Sequence, residues 1–152
     1  MKNLETTLIL IKPDGVQRGL IGKIISQIEQ KGLQIRGMKL MSVTEEIAGS
    51  LYGEHVGKPF FDSLVTFITS SPVVAMAVSG DNAVQVMRAI MGATNPQESA
   101  PGTIRGDFGM TIGMNLIHGS DSVQSAEREL RIFFDPAEII EYERDIDSWI
   151  IE

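Results

Sequence analysis

The sequence contains no cysteine, and this absence excludes disulfide bonds and thiolate metal sites within the chain. It also lacks any apolar run that approaches the length of a membrane span. The first apolar run, Leu8 to Ile11, stops at Lys12 and is shorter than the apolar region of a signal peptide. We therefore expect a soluble protein with no membrane partner and a cytoplasmic location.

Positive charge is scarce as well. The chain has 13 Lys and Arg against 20 Asp and Glu, which gives a formal net charge of −7. Because phosphate backbones attract positively charged surfaces, we expect no general binding of nucleic acids. A polyphosphate ligand would require a few cations gathered locally or a bound metal ion.

The common nucleotide-binding motifs are also missing. No two glycines lie two positions apart, so the G-x-G-x-x-G pattern is absent. The Gly22-Lys23 pair has neither the first glycine nor the Ser or Thr of a Walker A loop. Repeats, low-complexity tracts and linkers are absent too, and 152 residues is the size of one domain. We predict a single domain spanning residues 1–152.

The hydrophobic pattern predicts strands that alternate with helices. Strands are expected at residues 6–11, 33–43 (with Gly37 as a candidate bulge), 73–78 and 114–117. Helices are expected at residues 21–32, from 44, at 61–69, 82–92 and 122–133, with a turn at 12–15. Residues 92–113 show little regular pattern, and such a long irregular stretch is usually functional. This order allows either a doubly wound parallel sheet or a split βαβ arrangement with an antiparallel sheet.

The segment from Asn115 to Ser122 carries the strongest chemical signal. It places His118 after an apolar run and before Gly119, where a sharp turn is expected, and before a helix start rich in capping residues. Such a histidine would lie beside an anion-attracting helix end. This position suits a histidine that accepts a phosphoryl group, although a lone histidine after a strand is more often a surface or satisfied residue than a nucleophile.

Scattered charged residues are the other candidates. Lys12 follows a buried strand directly, and the planar fork of Arg105 suits bidentate phosphate contacts. Arg88 lies on an otherwise apolar helix. Glu129 has no oppositely charged residue three or four positions away on its helix and could reach the imidazole to orient it. Each also has a purely structural explanation, as a strand-end lysine, a solvated loop charge, a snorkelling arginine or a surface glutamate.

Two aromatic residues flank the predicted helical insert. Tyr52 or Phe60, if exposed, could stack on a base, but core packing explains both equally well. His55, in the same segment, is expected to be a solvated loop histidine.

Together these segments resemble the nucleoside diphosphate kinase family over essentially the whole chain. The motifs that carry the resemblance are IKPDGVQR (11–18), PVVAM (72–76), GATNP (92–96), PGTIRGDF (101–108) and NLIHGSDSVQS (115–125). The resemblance implies a ferredoxin-like βαββαβ α/β (α+β) sandwich, with a four-stranded antiparallel sheet and a helical hairpin inserted before the third strand. It also implies ping-pong transfer, in which His118 takes the γ-phosphoryl of a nucleoside triphosphate, mainly ATP, and gives it to a nucleoside diphosphate.

The resemblance assigns roles to further residues. Phosphate contacts are implied for Lys12, Arg88, Thr94 and Arg105, ribose contacts for Lys12 and Asn115, base contacts for Phe60 and Ile112, and support of the histidine for Tyr52, Ser120 and Glu129. Mg²⁺ is the implied cofactor, held by the nucleotide phosphates, with Asp121 as a candidate for reaching it through water. Ile112 departs from the family's frequent valine. Replacing Lys12 or Arg105 by Ala is expected to weaken transfer without abolishing folding.

An apolar C-terminal tail bears on assembly. Residues 149–151 are Trp-Ile-Ile, and such a tail is expected to be buried on the chain's own core or across a subunit. We expect a homo-oligomer, with a hexamer favoured over a tetramer because relatives with similar tails are commonly hexamers. The rival functions are a protein-directed histidine phosphocarrier and a non-catalytic nucleic-acid-binding or regulatory module on the same fold.

Overall fold

A four-stranded antiparallel sheet organises residues 4–152, which are the residues that the computed structural model describes. The strands are β1 (Leu4–Ile11), β2 (Gln34–Met41), β3 (Val73–Asp81) and β4 (Ile117–Gly119). Their spatial order is β2-β3-β1-β4, and each neighbouring pair runs antiparallel. This arrangement confirms the ferredoxin-like sheet with an inserted helical hairpin and excludes the doubly wound parallel alternative.

Helices connect and cover the strands. The α-helices are α1 (Pro13–Gln17), α2 (Ile21–Gln30), α3 (Glu45–Leu51), α4 (Phe61–Ile68), α5 (Ala83–Met91), α6 (Ile104–Phe108) and α7 (Val123–Phe133). Short 3₁₀ helices lie at Gly53–His55, Pro96–Glu98, Ile112–Met114, Pro136–Glu138 and Asp147–Trp149. The pair α3–α4 is the hairpin inserted before β3. Within residues 4–152, none of these helices has the length and apolar character needed to cross a bilayer.

The sheet is buried on both faces, which explains why β1 is a continuous apolar run. Successive side chains of a strand point to opposite faces. Ile9 and Ile11 pack with apolar side chains of α2 and α5, whereas Leu8 and Leu10 pack with those of α3, α4 and α7. All four side chains are fully buried. Because both faces are covered, the usual alternation of apolar and polar residues disappears from this strand.

The fourth strand differs from the prediction. The apolar residues 114–117 were expected to form it, but β4 begins only at Ile117, and residues 112–114 form a 3₁₀ turn. Leu116 has a φ of 75°, which no strand residue adopts. The apolar character of Leu116 therefore reflects its burial in the core rather than an extended backbone. As a consequence, His118 lies within the strand, opposite Leu10, and Gly119 is a strand residue rather than a turn residue.

Two further segments are more regular than expected. The turn predicted at residues 12–15 is the start of the short helix α1, which Pro13 opens at its first position. The stretch 92–113 contains α6 and two 3₁₀ helices instead of an irregular loop. These helices are too short to produce a detectable hydrophobic period. The candidate bulge at Gly37 is confirmed by a register shift between Ile35 and Gly37 against β3.

Candidate active site

His118 is held at the sheet edge by a carboxylate from α7. Its Nε2 lies 2.6 Å from Oε1 of Glu129, and the hydroxyl of Ser120 donates to the same oxygen at 3.0 Å. Glu129 is only 5% exposed, and Ser120 is fully buried. The helix positions the glutamate because the side chain of Ser122 caps α7, accepting from the Ser125 N–H at 3.0 Å. Nε2 is thus engaged by Glu129, and Nδ1 is the other ring nitrogen.

Glu129 also acts on the groups around it. Its Oε2 lies 3.8 Å from the guanidinium of Arg128, which in turn donates to the carbonyl of Ser50 at 2.9 Å. Burial, and then the negative charge of Glu129, raise the pKa of Tyr52 to about 12. Tyr52 is therefore a neutral phenol at physiological pH, beside the carboxylate that orients the imidazole.

A cleft of about 340 Å³ opens in front of His118. The predicted residues that line it are Lys12, Tyr52, Arg88, Thr94, Arg105, Asn115, His118, Asp121 and Glu129. Ser120 lies behind Glu129 instead of facing the cleft. Phe60 and Ile112 do not line the cleft either, and they are 46% and 60% exposed. The structure thus gathers nine of the twelve predicted residues around one cavity.

Lys12 and Asn115 form one side of the cleft. The Lys12 Nζ donates to Oδ1 of Asn115 at 2.9 Å, and the Asn115 amide donates to the carbonyl of Thr94 at 3.0 Å. Burial and the charge of Arg105 lower the pKa of Lys12 to about 8, although Asp14 partly opposes this shift. The amine is thus a cation at neutral pH that has lost much of its hydration.

Arg105 is the most heavily bonded side chain of the site. Its guanidinium donates to the carbonyls of Asn115 at 3.2 Å, Gly92 at 3.1 Å and Ile117 at 2.6 Å. Burial, and then the nearby charge of Arg88, lower its pKa to about 10, so it stays protonated at neutral pH. Arg105 therefore ties the chain before α6 to the chain on either side of Leu116, in addition to facing the cleft.

The other charged groups of the cleft are more accessible. Arg88 and Thr94 are exposed, as are the carboxylates of Asp121 and Glu54. Among residues 4–152, no three His, Cys, Asp or Glu side chains come together as a metal cage. The oxygen donors of Asp121 and Glu54 fit a hard cation such as Mg²⁺ that takes most of its ligands from phosphates and water.

The sequence interpretation missed two residues of this region. His55 lines the cleft instead of pointing into solvent, with its ring centroid 5.1 Å from that of Phe60. Its Nδ1 is shielded from solvent without a hydrogen-bond partner among the described residues. Asp14 accepts the backbone N–H of Leu116 at 3.0 Å. Nothing in the sequence around His55 signalled its position, whereas Pro13-Asp14-Gly15 was visible only as a turn.

Comparisons with known proteins agree with this geometry. The family model for nucleoside diphosphate kinase matches residues 5–139. The nucleoside diphosphate kinase of Desulforamulus reducens is 58% identical over 149 residues, which cover 98% of this chain and 100% of that protein. The corresponding protein of Macrococcus caseolyticus is 56% identical, with 97% of this chain and 99% of that protein covered.

Solved structures give the same result. A halophilic nucleoside diphosphate kinase from Halobacterium salinarum, in complex with CDP, matches with a TM-score of 0.95 and 52% identity, covering 97% of this chain and 99% of that chain. A nucleoside diphosphate kinase family protein from Babesia bovis has a TM-score of 0.95 and 44% identity over the same shares. The motifs, the fold and the relatives therefore agree that this chain belongs to the nucleoside diphosphate kinase family and is a nucleotide-binding phosphotransferase.

Proposed function

We propose that this enzyme moves the γ-phosphoryl group of a nucleoside triphosphate, mainly ATP, to a nucleoside diphosphate in two half-reactions through His118. The observation that carries the proposal is the 2.6 Å contact between His118 Nε2 and the buried carboxylate of Glu129. When the carboxylate accepts a hydrogen bond from the N–H at Nε2, the free lone pair of the neutral ring is on Nδ1. Nδ1 is therefore the nucleophile. The rest of the chain acts as one domain around this site.

Each half-reaction is an in-line displacement at phosphorus. In the first, Nδ1 forms a bond to the γ-phosphorus while the bond to the β–γ bridging oxygen breaks, and the nucleoside diphosphate leaves. In the second, the terminal oxygen of another nucleoside diphosphate attacks the phosphohistidine, and the P–N bond breaks. Glu129 holds the ring in one orientation through both steps, and Ser120 fixes Glu129 by its 3.0 Å hydrogen bond.

The cations of the cleft supply the charge stabilisation that phosphoryl transfer needs. The transition state is loose and spreads charge over the phosphoryl oxygens, so catalysis depends on positioning and electrostatics. Lys12, Arg88 and Arg105 converge on the cleft with the hydroxyl of Thr94. We assign the phosphates to these four residues and the ribose hydroxyls to Lys12 and Asn115, whose side chains already contact each other.

The base is expected to bind at the rim. Phe60 and Ile112 are exposed side chains outside the cleft lining. An aromatic face stacks on any base without reading its hydrogen-bonding edge. Broad tolerance among the bases follows from such a rim.

Mg²⁺ is the metal that we propose for this site. The exposed carboxylate of Asp121 would hold the ion through water, while the nucleotide phosphates supply the remaining ligands. When bound, the ion would neutralise part of the phosphate charge. Lys12, Arg88 and Arg105 orient the phosphoryl group toward Nδ1.

Phosphoenzyme formation tests the proposal. Incubation with γ-labelled ATP and Mg²⁺ is expected to label His118 with acid-labile, base-stable phosphate, and addition of GDP is expected to transfer the label to GTP. His118→Ala is expected to lose both steps while it remains folded. Rapid mixing that showed direct transfer between two nucleotides bound together, without a labelled enzyme, would overturn the mechanism. Label that ignores GDP but moves to a partner protein would instead favour a histidine phosphocarrier.

We also propose a cytoplasmic homo-oligomer, a hexamer rather than a tetramer. β2 is an edge strand, and it exposes the apolar side chains of Met38 and Leu40. Trp149 on the tail is 89% exposed as well. Unpaired strand edges and exposed apolar side chains favour association with another chain. Analytical ultracentrifugation of the wild type and of Leu40→Lys would test this expectation.

A further inference from the structure

A strained γ-turn directly precedes the strand that carries His118. Leu116 has a φ of 75°, and the N–H of Ile117 donates to the carbonyl of Asn115 at 2.9 Å. A hydrogen bond from residue i+2 to residue i around a positive φ defines the rare, strained form of the γ-turn. A branched aliphatic residue adopts this conformation only where the surrounding structure enforces it.

Four contacts enforce it here. The N–H of Leu116 donates to Oδ2 of Asp14 at 3.0 Å, and its carbonyl accepts from the backbone N–H of Lys12 at 2.8 Å. The carbonyls on either side, those of Asn115 and Ile117, accept from Arg105 at 3.2 and 2.6 Å. Every polar backbone group at the centre of the turn is thus satisfied. The only side-chain acceptor among these partners is the carboxylate of Asp14.

The chain around Asp14 is shaped to approach the turn closely. An ideal Cβ placed on Gly15 would lie 3.0 Å from the carbonyl oxygen of Leu116 and 2.7 Å from Cγ2 of Ile11. The absence of a side chain at Gly15 therefore lets α1 pack directly on the turn. Pro13 opens α1, with Asp14 in its first turn. This geometry fixes the backbone of Asp14, from which the carboxylate reaches the Leu116 N–H.

The turn determines where two groups of the site point. Asn115, before it, reaches Lys12 and Thr94, whereas His118, after it, enters the sheet opposite Leu10. We infer that Asp14 is a positioning residue, whose carboxylate holds the γ-turn at Leu116 and so sets the placement of His118 relative to Asn115 and the bound phosphates. This inference rests on the proposed phosphoryl transfer through His118.

Asp14 also has a possible electrostatic role that must be separated from this one. Its charge raises the pKa of Lys12, against the lowering by burial and by Arg105. If that charge were its contribution, any carboxylate nearby would serve, and the position of the acceptor would matter little. A substitution that keeps the acceptor and one that keeps the charge distinguish the two roles.

Asp14→Asn and Asp14→Glu form the test pair. Asparagine keeps an acceptor oxygen at the position of Oδ2 but removes the charge. Glutamate keeps the charge but carries it one methylene further. The same two substitutions at Asp145, an exposed residue of the C-terminal tail, are the matched control. Asp14→Ala replaces Asp14→Glu if the longer side chain prevents folding.

The measurement is the single-turnover rate of phosphohistidine formation at saturating ATP, with a thermal melt of each variant. We expect Asp14→Glu to lower this rate roughly 10- to 100-fold, because small misplacements of reacting groups have effects of this size. Asp14→Asn is expected to retain the rate within about threefold, because a neutral amide oxygen still accepts the Leu116 N–H. Its melting temperature is nevertheless expected to fall, because Oδ1 of Asp14 is shielded without a partner among residues 4–152 and an NH₂ group there would be unsatisfied.

Two outcomes would overturn the inference. If Asp14→Glu forms phosphohistidine at the wild-type rate, the acceptor position is unimportant. If Asp14→Asn is as slow as Asp14→Glu, an acceptor at the position of Oδ2 does not suffice to keep the rate, and the hydrogen bond to Leu116 is not what positions His118. Hydrogen exchange of the Leu116 amide, followed by NMR, separates this test from the proposed function. If ATP does not label the wild-type protein, the transfer mechanism is refuted. If the Leu116 amide exchanges as slowly in Asp14→Glu as in the wild type, the proposed hold of Asp14 on the γ-turn is refuted.

Discussion

Replacing Arg105 by Ala is expected to destabilise the fold as well as to weaken nucleotide binding. Arg105 is 6% exposed, and its guanidinium donates to three backbone carbonyls within 3.2 Å, at 2.6 Å (Ile117), 3.1 Å (Gly92) and 3.2 Å (Asn115). Alanine removes every donor and leaves these acceptors behind. The sequence predicted only weaker transfer, without loss of folding, because a loop arginine gives no sign of its backbone partners.

The magnitude follows from these bonds. A buried acceptor that loses its only partner costs about 1–3 kcal/mol, and a hydrogen bond whose acceptor keeps another partner or reaches water contributes about 1 kcal/mol. The Asn115 carbonyl keeps the N–H of Ile117 at 2.9 Å, and Gly92 is half-buried. Loss of the three hydrogen bonds is therefore expected to lower the free energy of unfolding by about 3–5 kcal/mol. This is a large part of the roughly 5–15 kcal/mol that stabilises a typical domain.

Urea unfolding followed by far-ultraviolet circular dichroism is the suitable assay. Fluorescence is not, because Trp149 is the sole tryptophan and is 89% exposed. Arg88→Ala is the matched control, since Arg88 is an exposed cation of the same cleft. It is expected to weaken nucleotide binding while it leaves the free energy of unfolding within about 0.5 kcal/mol of the wild type. Equal free energies of unfolding for the two variants would refute the structural role of Arg105.

Three further predictions concern single residues. Lys12 has a pKa lowered to about 8, so it loses its charge as the pH rises through that value. Binding of an anionic nucleotide above pH 8 is therefore expected to be accompanied by uptake of a proton. Calorimetry in two buffers of different ionisation enthalpy measures this uptake, and Lys12→Arg should abolish it. Glu129→Gln is expected to slow phosphoenzyme formation about tenfold through loss of a charge-assisted hydrogen bond to His118, and an unchanged burst rate would contradict its orienting role. Gly106→Ala is expected to disrupt the start of α6, because its Cβ would collide with the carbonyl of Ala100; a melting temperature equal to that of the wild type would contradict this.

The parts of the fold that depend on local pattern were predictable. β1 is a continuous apolar run, and α2, α5 and α7 show apolar residues at helical spacing, so both the elements and their order follow from the sequence. The strand order did not follow from periodicity, because a two-sided core removes the alternation that would distinguish antiparallel from parallel pairing. The resemblance supplied the topology, and the sheet confirms it.

The site was predictable to a lesser extent. The contact of Glu129 with His118 was anticipated because the glutamate lies on the helix that follows the histidine and has no oppositely charged residue three or four positions away on that helix. Arg105 bonds to backbone carbonyls of residues that are 10 to 13 positions away along the chain. Asp14 bonds to a backbone N–H that is 102 positions away. Backbone acceptors carry no sequence signature, so neither the hydrogen bonds of Arg105 nor the γ-turn at Leu116 could be foreseen.

The two most buried cations of the cleft give an acidic chain a local positive site for the proposed polyphosphate ligand. Lys12 and Arg105 are both partly stripped of water, and the charge of Arg105 contributes to lowering the pKa of Lys12. Mutual repulsion of this kind is unfavourable in the free enzyme, and the carbonyls that bind Arg105 offset it. In the proposed complex, a phosphate chain between the two cations would replace repulsion by attraction and supply acceptors to them. With a net charge of −7, the chain is expected to admit only ligands small enough to enter the cleft, because a long polyanion would meet the acidic surface outside it.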